Sequence, residues 1–417
     1  MSLTFEPTAD NPERLAIRDA VRAICDRFDD EYWREKDDTA SFPYEFSQAI
    51  AEGGWLGIAM PEEYGGANLG VTEAAIMMQT IGSSAGVFAA CSTVHINIFG
   101  PHAIVVHGSE EQKARFLPPL IAGTERACFG VTEPDAGLDT TKLSTRAVRD
   151  GDHYVIDGRK IWTSTAQQAD KILLLTRTTP IEDCKKPTDG LTLFYTDLDR
   201  NFIEVREIHK MGRSAVNSNA VFIDGLRVSA DDRIGEEGKG FRYILDSLNP
   251  ERILNAAETI GIGRRALSKA TQYAKDRVVF GRPIGKNQSI QHPLAENWSE
   301  LYAAELMTLH AAALYDSGAP CGPEANAAKY LAADASFKAC DQAVRTHGGM
   351  GYAREYDVER YFREVVATRL APVSRELILC RTGKRSNPGA APMVQEASQL
   401  TLNDMIALAA YAAARTP

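Results

Sequence analysis

Trp162-Thr163-Ser164 sets an indole beside two hydroxyls, a group that could cover a flat ring while a hydroxyl bonds to it. A lone Trp in a strand is more often core, and both readings stand. Upstream, Val131-Thr132-Glu133-Pro134-Asp135-Ala136-Gly137-Leu138-Asp139 brings a hydroxyl, carboxylates and main-chain amides to a domain junction, a favoured place for a polar ligand. Its plain alternative is a turn-rich connection. Arg277, Phe280, Gly281, Arg282 and Pro283, then Gln288, follow a long helical pattern. Arg277 could complement the helix dipole or clamp a pyrophosphate. His347-Gly348-Gly349-Met350-Gly351 could end a helix with glycine at positive φ, or let backbone approach a ligand closely. Glu251 follows Asn249-Pro250 and reads as a first-turn acid, with catalysis as the alternative.

Other chemistries find no support. No Walker loop occurs, and no G-x-G-x-x-G follows a strand. Gly261-Ile262-Gly263 lies in a helical pattern and reads as close helix packing. Gly82-Ser83-Ser84-Ala85-Gly86 matches G-x-S-x-G, but a hydrolase elbow needs a preceding strand, so it reads as an inter-helix loop. The eight His show neither H-x-x-H nor H-E-x-x-H spacing, so no metal site is expected.

The elements that must position these residues fall into three parts. Residues 1–125 read as helical: Asn11-Pro12 predicts an N-cap, and Ile17, Val21, Ile24 and Phe28 recur on one helical face. Further helices are expected near 44–52, 71–81 and 109–121. Residues 126–235 change to β-branched runs. Asp157-Gly158 and Asp224-Gly225 each predict a type I′ hairpin turn, and Lys171–Leu175 and Leu191–Tyr195 add strands. Residues 236–385 return to helix. Asn249-Pro250 predicts a second N-cap, and long helices are expected to about 278, over 288–316, 324–347 and 357–384, as a bundle. Residues 386–417 read as a linker and a short helix near 400–414. The fold class is α+β, mainly α, with an antiparallel β domain between helical parts.

The 417 residues carry 46 Lys plus Arg against 56 Asp plus Glu, a formal charge of −10, which disfavours nucleic acid as a partner. No run reaches the ~18 consecutive apolar residues of a membrane span. The first residues, Met1-Ser2-Leu3-Thr4-Phe5-Glu6, lack the basic start and apolar core of a signal peptide. The seven Cys are scattered and never spaced C-x-x-C, which points to a reducing cytoplasmic setting.

Taken together, the motifs resemble the acyl-CoA dehydrogenase family. The carrying segments are Thr132-Glu133-Pro134 with Gly137 and Asp139, Lys160-Ile161-Trp162-Thr163-Ser164, and Lys210-Met211-Gly212. Arg277-Val278-Val279-Phe280-Gly281-Arg282-Pro283-Ile284, Gln288, and His347-Gly348-Gly349-Met350-Gly351-Tyr352 with Glu355-Tyr356 continue the series across 12–385. The resemblance implies a helical domain, a β-barrel domain and a four-helix bundle. It implies FAD held by Phe129, Val131, Thr132, Trp162 and Ser164, with Arg277, Phe280 and Gln288 reaching the FAD of an adjoining subunit and Gly348 and Gly349 against the same dinucleotide. A homodimer or homotetramer follows. The implied reaction is α,β-dehydrogenation of an acyl-CoA, with electrons passing to an electron-transfer flavoprotein, in fatty-acid β-oxidation.

Departures from the family pattern focus attention on the base. Many members carry it in a Tyr-Glu-Gly-Thr segment; here that region is Leu370-Ala371-Pro372-Val373-Ser374-Arg375-Glu376. Branched- and long-chain members place a Glu directly before an Arg on the long bundle helix, which Glu251-Arg252 matches. Glu251 is the expected base and Glu376 the fallback, with Asn249 and Arg252 near the CoA. Leu138 replaces a frequent Ser, and Arg345 stands where a Gln often touches FAD. An acyl-CoA oxidase, a nitroalkane oxidase or a scaffold without catalysis are the competing readings.

Overall fold

The computed structural model describes residues 11–371, apart from Pro101 and Leu138. Asn11 caps α1 (Pro12–Cys25), its side chain accepting from the N–H groups of Glu13 and Arg14. Val21 and Cys25 are buried, and Phe28, past the helix end, turns into the same core. There follow α2 (Asp30–Thr39), α3 (Tyr44–Glu52), α4 (Val71–Gly82), α5 (Val87–Phe99), α6 (His102–His107) and α7 (Glu110–Ile121). The stretch Val87–His107 has a mean hydropathy of 1.3, enough to resemble a membrane span, yet 69% of its apolar window is buried inside the protein. Ser83–Gly86 is the loop between α4 and α5, as its helical surroundings predict.

One eight-stranded sheet comprises β1 (Ala127–Gly130), β2 (Arg146–Asp150), β3 (His153–Ser164), β4 (Lys171–Arg177), β5 (Leu191–Asp197), β6 (Ile203–Glu207), β7 (Ser218–Ser229) and β8 (Arg233–Ile234). The order is β6-β7-β3-β2-β4-β5-β8, with β1 beside β4. Most neighbours are antiparallel, but β1 runs parallel to β4 and β2 meets β4 in parallel, so the sheet is mixed.

The two expected Asp-Gly hairpins are corrected. Asp157-Gly158 lies within β3 and Asp224-Gly225 within β7, and the two strands pair with each other. Their register steps from Ile156↔Leu226 to Gly158↔Ile223, so the glycines mark a bulge in two long strands. Pairing along twelve-residue strands outweighs the local turn preference. The two-residue hairpin sits instead at Gly151-Asp152, between β2 and β3, where Asp150 faces His153.

The last part contains α8 (Gly240–Asp276), the β9 (Val278–Val279) and β10 (Arg282–Pro283) hairpin, α9 (Gln288–Asp316), α10 (Gly322–His347) and α11 (Val358–Thr368). α8 packs on α9, α10 and α11, and α10 packs on α9 and α11. The expected N-cap at Asn249-Pro250 is corrected: α8 starts ten residues earlier and Pro250 is buried inside it. Tertiary packing of Phe241, Tyr243, Ile244 and Ser247 holds the turns before the proline, whose missing N–H costs only one ladder bond. Gly261 is close packing: a Cβ there would come 2.4 Å from the Gln79 carbonyl oxygen of α4. α11 ends at Thr368 rather than near 384, and the expected linker and helix after 386 lie outside the described residues.

Acid stability follows from a half-buried cluster at Asp30 and a buried pair at Glu133. Arg265 and Lys269 hold Asp30 at about 2 against burial, and Lys160 does the same for Glu133. Both carboxylates bind protons less readily folded than unfolded. Their stabilisation is therefore full above the unfolded values of 3.8 and 4.5 and fades as pH falls through these towards 2. A melting midpoint measured against pH should drop steeply in that window; a flat profile there would contradict the pairs.

Candidate active site

The motifs around β1 and β3 are tied together by hydrogen bonds. Ile161 N–H donates to the Thr132 carbonyl at 2.9 Å. Lys160 Nζ, fully buried, donates to Glu133 Oε1 at 2.8 Å and to the Val131 carbonyl at 3.3 Å. Glu133 also accepts from the Ser144 and Thr145 backbone N–H groups at 2.6 and 2.9 Å. Glu133 is thus structural: it locks the connection after β1 onto β3. Phe129 and Thr132 are half-buried beside this lock and Val131 is buried.

At the end of β3, Trp162 has φ 60° and is 55% exposed, although it sits in a strand. A large aromatic at positive φ is strained and left in the open, which argues for a binding surface rather than core. Thr163 Oγ1 is buried without a partner among the described residues. Ser164 Oγ accepts from Arg213 Nη2 at 3.1 Å. Arg213, also at positive φ, further donates to Ser218 Oγ at 3.0 Å and to Ser92 Oγ of α5 at 3.0 Å. Arg213 immediately follows Lys210-Met211-Gly212, and its position after that motif was the one signal that could have drawn it out of the sequence.

α5 joins this half to the other. Three residues beyond Ser92, on the same helical face, His95 Nδ1 meets Glu258 Oε2 of α8 at 3.1 Å. Asn255 Nδ2 donates to Glu258 Oε1 at 2.8 Å. Glu251 lies two turns before Glu258 on α8; His95 is within electrostatic range of Glu251, and Arg213 within range of His95 and Glu258. Burial pushes the Glu251 carboxyl above the ordinary carboxylate range; His95 and then Arg252 act against that rise, and Glu258 adds to it. Glu251 as a whole residue is half-buried. Lys329 of α10 is the second buried cation facing it, its ammonium brought down to about 8 by burial and Arg252. Arg252 is 1% exposed, donates through Nη1 to Asn249 Oδ1 at 3.2 Å, and has no partner for its buried Nε among the described residues. His95, Glu258 and Lys329 carry no local motif, because they come from three helices that only the fold assembles.

The remaining expected residues lie elsewhere. Arg277 ends α8, Phe280 is fully exposed at φ 51° between β9 and β10, and exposed Gln288 opens α9. Gly348 ends α10 at φ 61°, and a Cβ at Gly348 or Gly349 would meet nothing within 4 Å. The helix-end reading of Gly348 holds. Tyr273 stacks on His347 at 4.2 Å, so the ends of α8 and α10 share one end of the bundle. That end is ~39 Å from Glu251 along α8, at ~1.5 Å per residue. Arg345 pairs with Asp341 at 2.9 Å and is largely exposed. Leu138 and Glu376 lie outside the described residues.

The chain matches the acyl-CoA dehydrogenase N-terminal domain over residues 11–124, the middle domain over 128–226 and the C-terminal domain over 238–378. The chain belongs to the acyl-CoA dehydrogenase family. It is an oxidoreductase of that FAD-dependent family, and Trp162, Thr163 and Ser164 fit a flat ring with polar edges. It is 36% identical to acyl-CoA dehydrogenase FadE12 of Mycobacterium tuberculosis over 89% of this chain and 95% of that one. The caffeyl-CoA reductase–Etf complex subunit CarC of Acetobacterium woodii is 33% identical over 79% of this chain and 86% of its own. The structure of butyryl-CoA dehydrogenase from Megasphaera elsdenii superposes with a TM-score of 0.84 at 28% identity, covering 89% of this chain and 97% of that chain.

Proposed function

We propose that this acyl-CoA dehydrogenase family member converts an acyl-CoA thioester to the 2-enoyl-CoA, with Glu251 as the base. One observation carries the reading: α5 links Ser164, through Arg213 and Ser92, to the His95–Glu258 pair beside Glu251. A hydroxyl at the ring site and a carboxylate of raised proton affinity are thereby held on one scaffold.

An α-C–H beside a thioester is a far weaker acid than a solvated carboxylic acid. A base withdrawn from water gains proton affinity, and Glu251 has that setting. Arg252 and Lys329, buried beside it, leave the local charge positive once Glu251 has taken a proton, which favours negative charge developing on the thioester. Ser164 and the backbone about Val131 and Thr132 orient the ring, and Trp162 covers it. FAD, when bound, supplies the acceptor for the β-hydrogen, taken as hydride. Electron-transfer flavoprotein is the proposed electron acceptor, supported by the relative named as a subunit of a reductase–Etf complex.

Arg277, Phe280 and Gln288 belong to the FAD site of a second copy. The supports are their exposure and the ~39 Å of helix between them and Glu251. Arg277→Ala is expected to weaken FAD retention by ~10-fold, as a charge-assisted contact to pyrophosphate is lost. Equilibrium dialysis checks this; unchanged retention would make Arg277 merely structural.

The reading as a whole is tested by anaerobic titration of the purified protein with acyl-CoAs of varied length and branching, following flavin absorbance. Bleaching by at least one thioester is expected. Protein that is colourless and takes up no FAD would favour a scaffold, and rapid reoxidation by O2 would favour an oxidase.

A further inference from the structure

Glu251, Asn255 and Glu258 are spaced four and three residues apart, one face of α8 turned towards α5. Glu258 is 1% exposed. A carboxylate that deep needs a cation and filled hydrogen bonds. Asn255 supplies one bond at 2.8 Å and His95 Nδ1 supplies the other at 3.1 Å. The charges facing His95 are Glu258 and Glu251 on α8 and Arg213 on the segment before β7. Burial works against the imidazolium, but Glu258 outweighs it through charge and hydrogen bond, and the His95 pKa rises. The charges facing Glu251 are His95 on α5, Arg252 and Glu258 on its own helix, and Lys329 on α10. Among them His95 acts most strongly against burial. The dehydrogenation chemistry, as assigned, makes no use of His95 or Glu258.

We propose that His95 and Glu258 are a positioning pair for the base: the imidazolium holds Glu251 as a carboxylate, and Glu258 with Asn255 holds the imidazolium. The inference rests on Glu251 being the base. Two opposing demands explain the arrangement. A dry carboxylate takes an α-proton well, but left alone it would already be protonated and idle near neutral pH. A cation at one remove keeps it ionised without forming the direct salt bridge that would blunt its basicity. After proton transfer Glu251 is neutral, and His95 remains balanced by Glu258.

The test uses the FAD-loaded enzyme with a 3-thiaacyl-CoA. Its α-C–H is acidic, but the sulfur at the β position has no hydrogen to give. Ionisation of the bound ligand therefore produces an enolate and a long-wavelength charge-transfer band without turnover. In His95→Gln the pH midpoint of that band is expected to rise by about one unit, because a cation facing the base is lost, with full height regained at higher pH. In the wild-type holoenzyme carrying isotope-labelled histidine, the imidazole NMR signal missing from His95→Gln should be that of a protonated ring at about pH 7. It should become neutral in Glu258→Gln. An unmoved midpoint in His95→Gln, or a neutral His95 in the wild type, overturns the inference; His95→Asn supplies both the signal assignment and the midpoint if His95→Gln does not fold. If Glu251→Gln abolishes the band while His95→Gln leaves its midpoint in place, only the pairing fails. A band that survives Glu251→Gln removes the base assignment itself.

Discussion

Glu251→Gln is expected to retain FAD and to slow acyl-CoA-driven bleaching by ~10²-fold or more, the usual cost of removing a positioned general base. Gln has the same shape and keeps the packing of α8, so loss of the proton acceptor is isolated from loss of structure. The groups that face Glu251 are His95, Arg252, Glu258 and Lys329, and none of them belongs to the residues proposed to hold FAD. Burial disfavours the charged form of Glu251, so the neutral Gln should leave the melting temperature close to that of the wild type while the rate falls. Stopped-flow flavin absorbance under nitrogen measures the rate, and the flavin-to-protein absorbance ratio measures retention. Wild-type bleaching in the variant would shift the search to Glu376.

The second large effect concerns stability. Lys160→Met should destabilise the protein by ~3–5 kcal/mol, because the Glu133 carboxylate would stay buried without its cation. At ~2 °C per kcal/mol, the melting midpoint should fall by about 6 °C or more. Glu133 would keep its bonds from Ser144 and Thr145, which hold the charge in place rather than release it to water. Because the same pair fixes the connection after β1 against β3, flavin retention should weaken along with stability. The double variant Lys160→Met with Glu133→Gln should recover much of the loss, since no unpaired charge is then buried. Circular dichroism melts of the two variants decide the matter. Equal melting points for wild type and Lys160→Met would show the lock to be dispensable.

Several elements were legible because their signals are local. Asn11-Pro12 makes a cap from its own side chain and ring, whatever follows. The helices over 44–52, 288–316 and 324–347 follow from apolar spacing between breakers. Gly261 inside a helical run reads as close packing, and the Gln79 carbonyl confirms it. The Asp-Gly pairs misled because turn preference is worth little against a dozen paired residues: both sit as bulges in β3 and β7, and the turn fell at Gly151-Asp152. Asn249-Pro250 misled in the same way, because the packing of Phe241, Tyr243 and Ile244 carries α8 through the proline.

By itself the sequence determined the family, the three-part layout and the residue types at the proposed ring site, since ordered motifs survive in one dimension. Only the tertiary structure decided what Glu251 is. From its neighbours in sequence it is an acid after a proline, favoured by a helix dipole. In space it lies inside a helix, among His95, Arg252, Glu258 and Lys329 drawn from α5, α8 and α10. Proton affinity depends on burial and on charges several ångströms away, and neither quantity is a property of spacing along the chain.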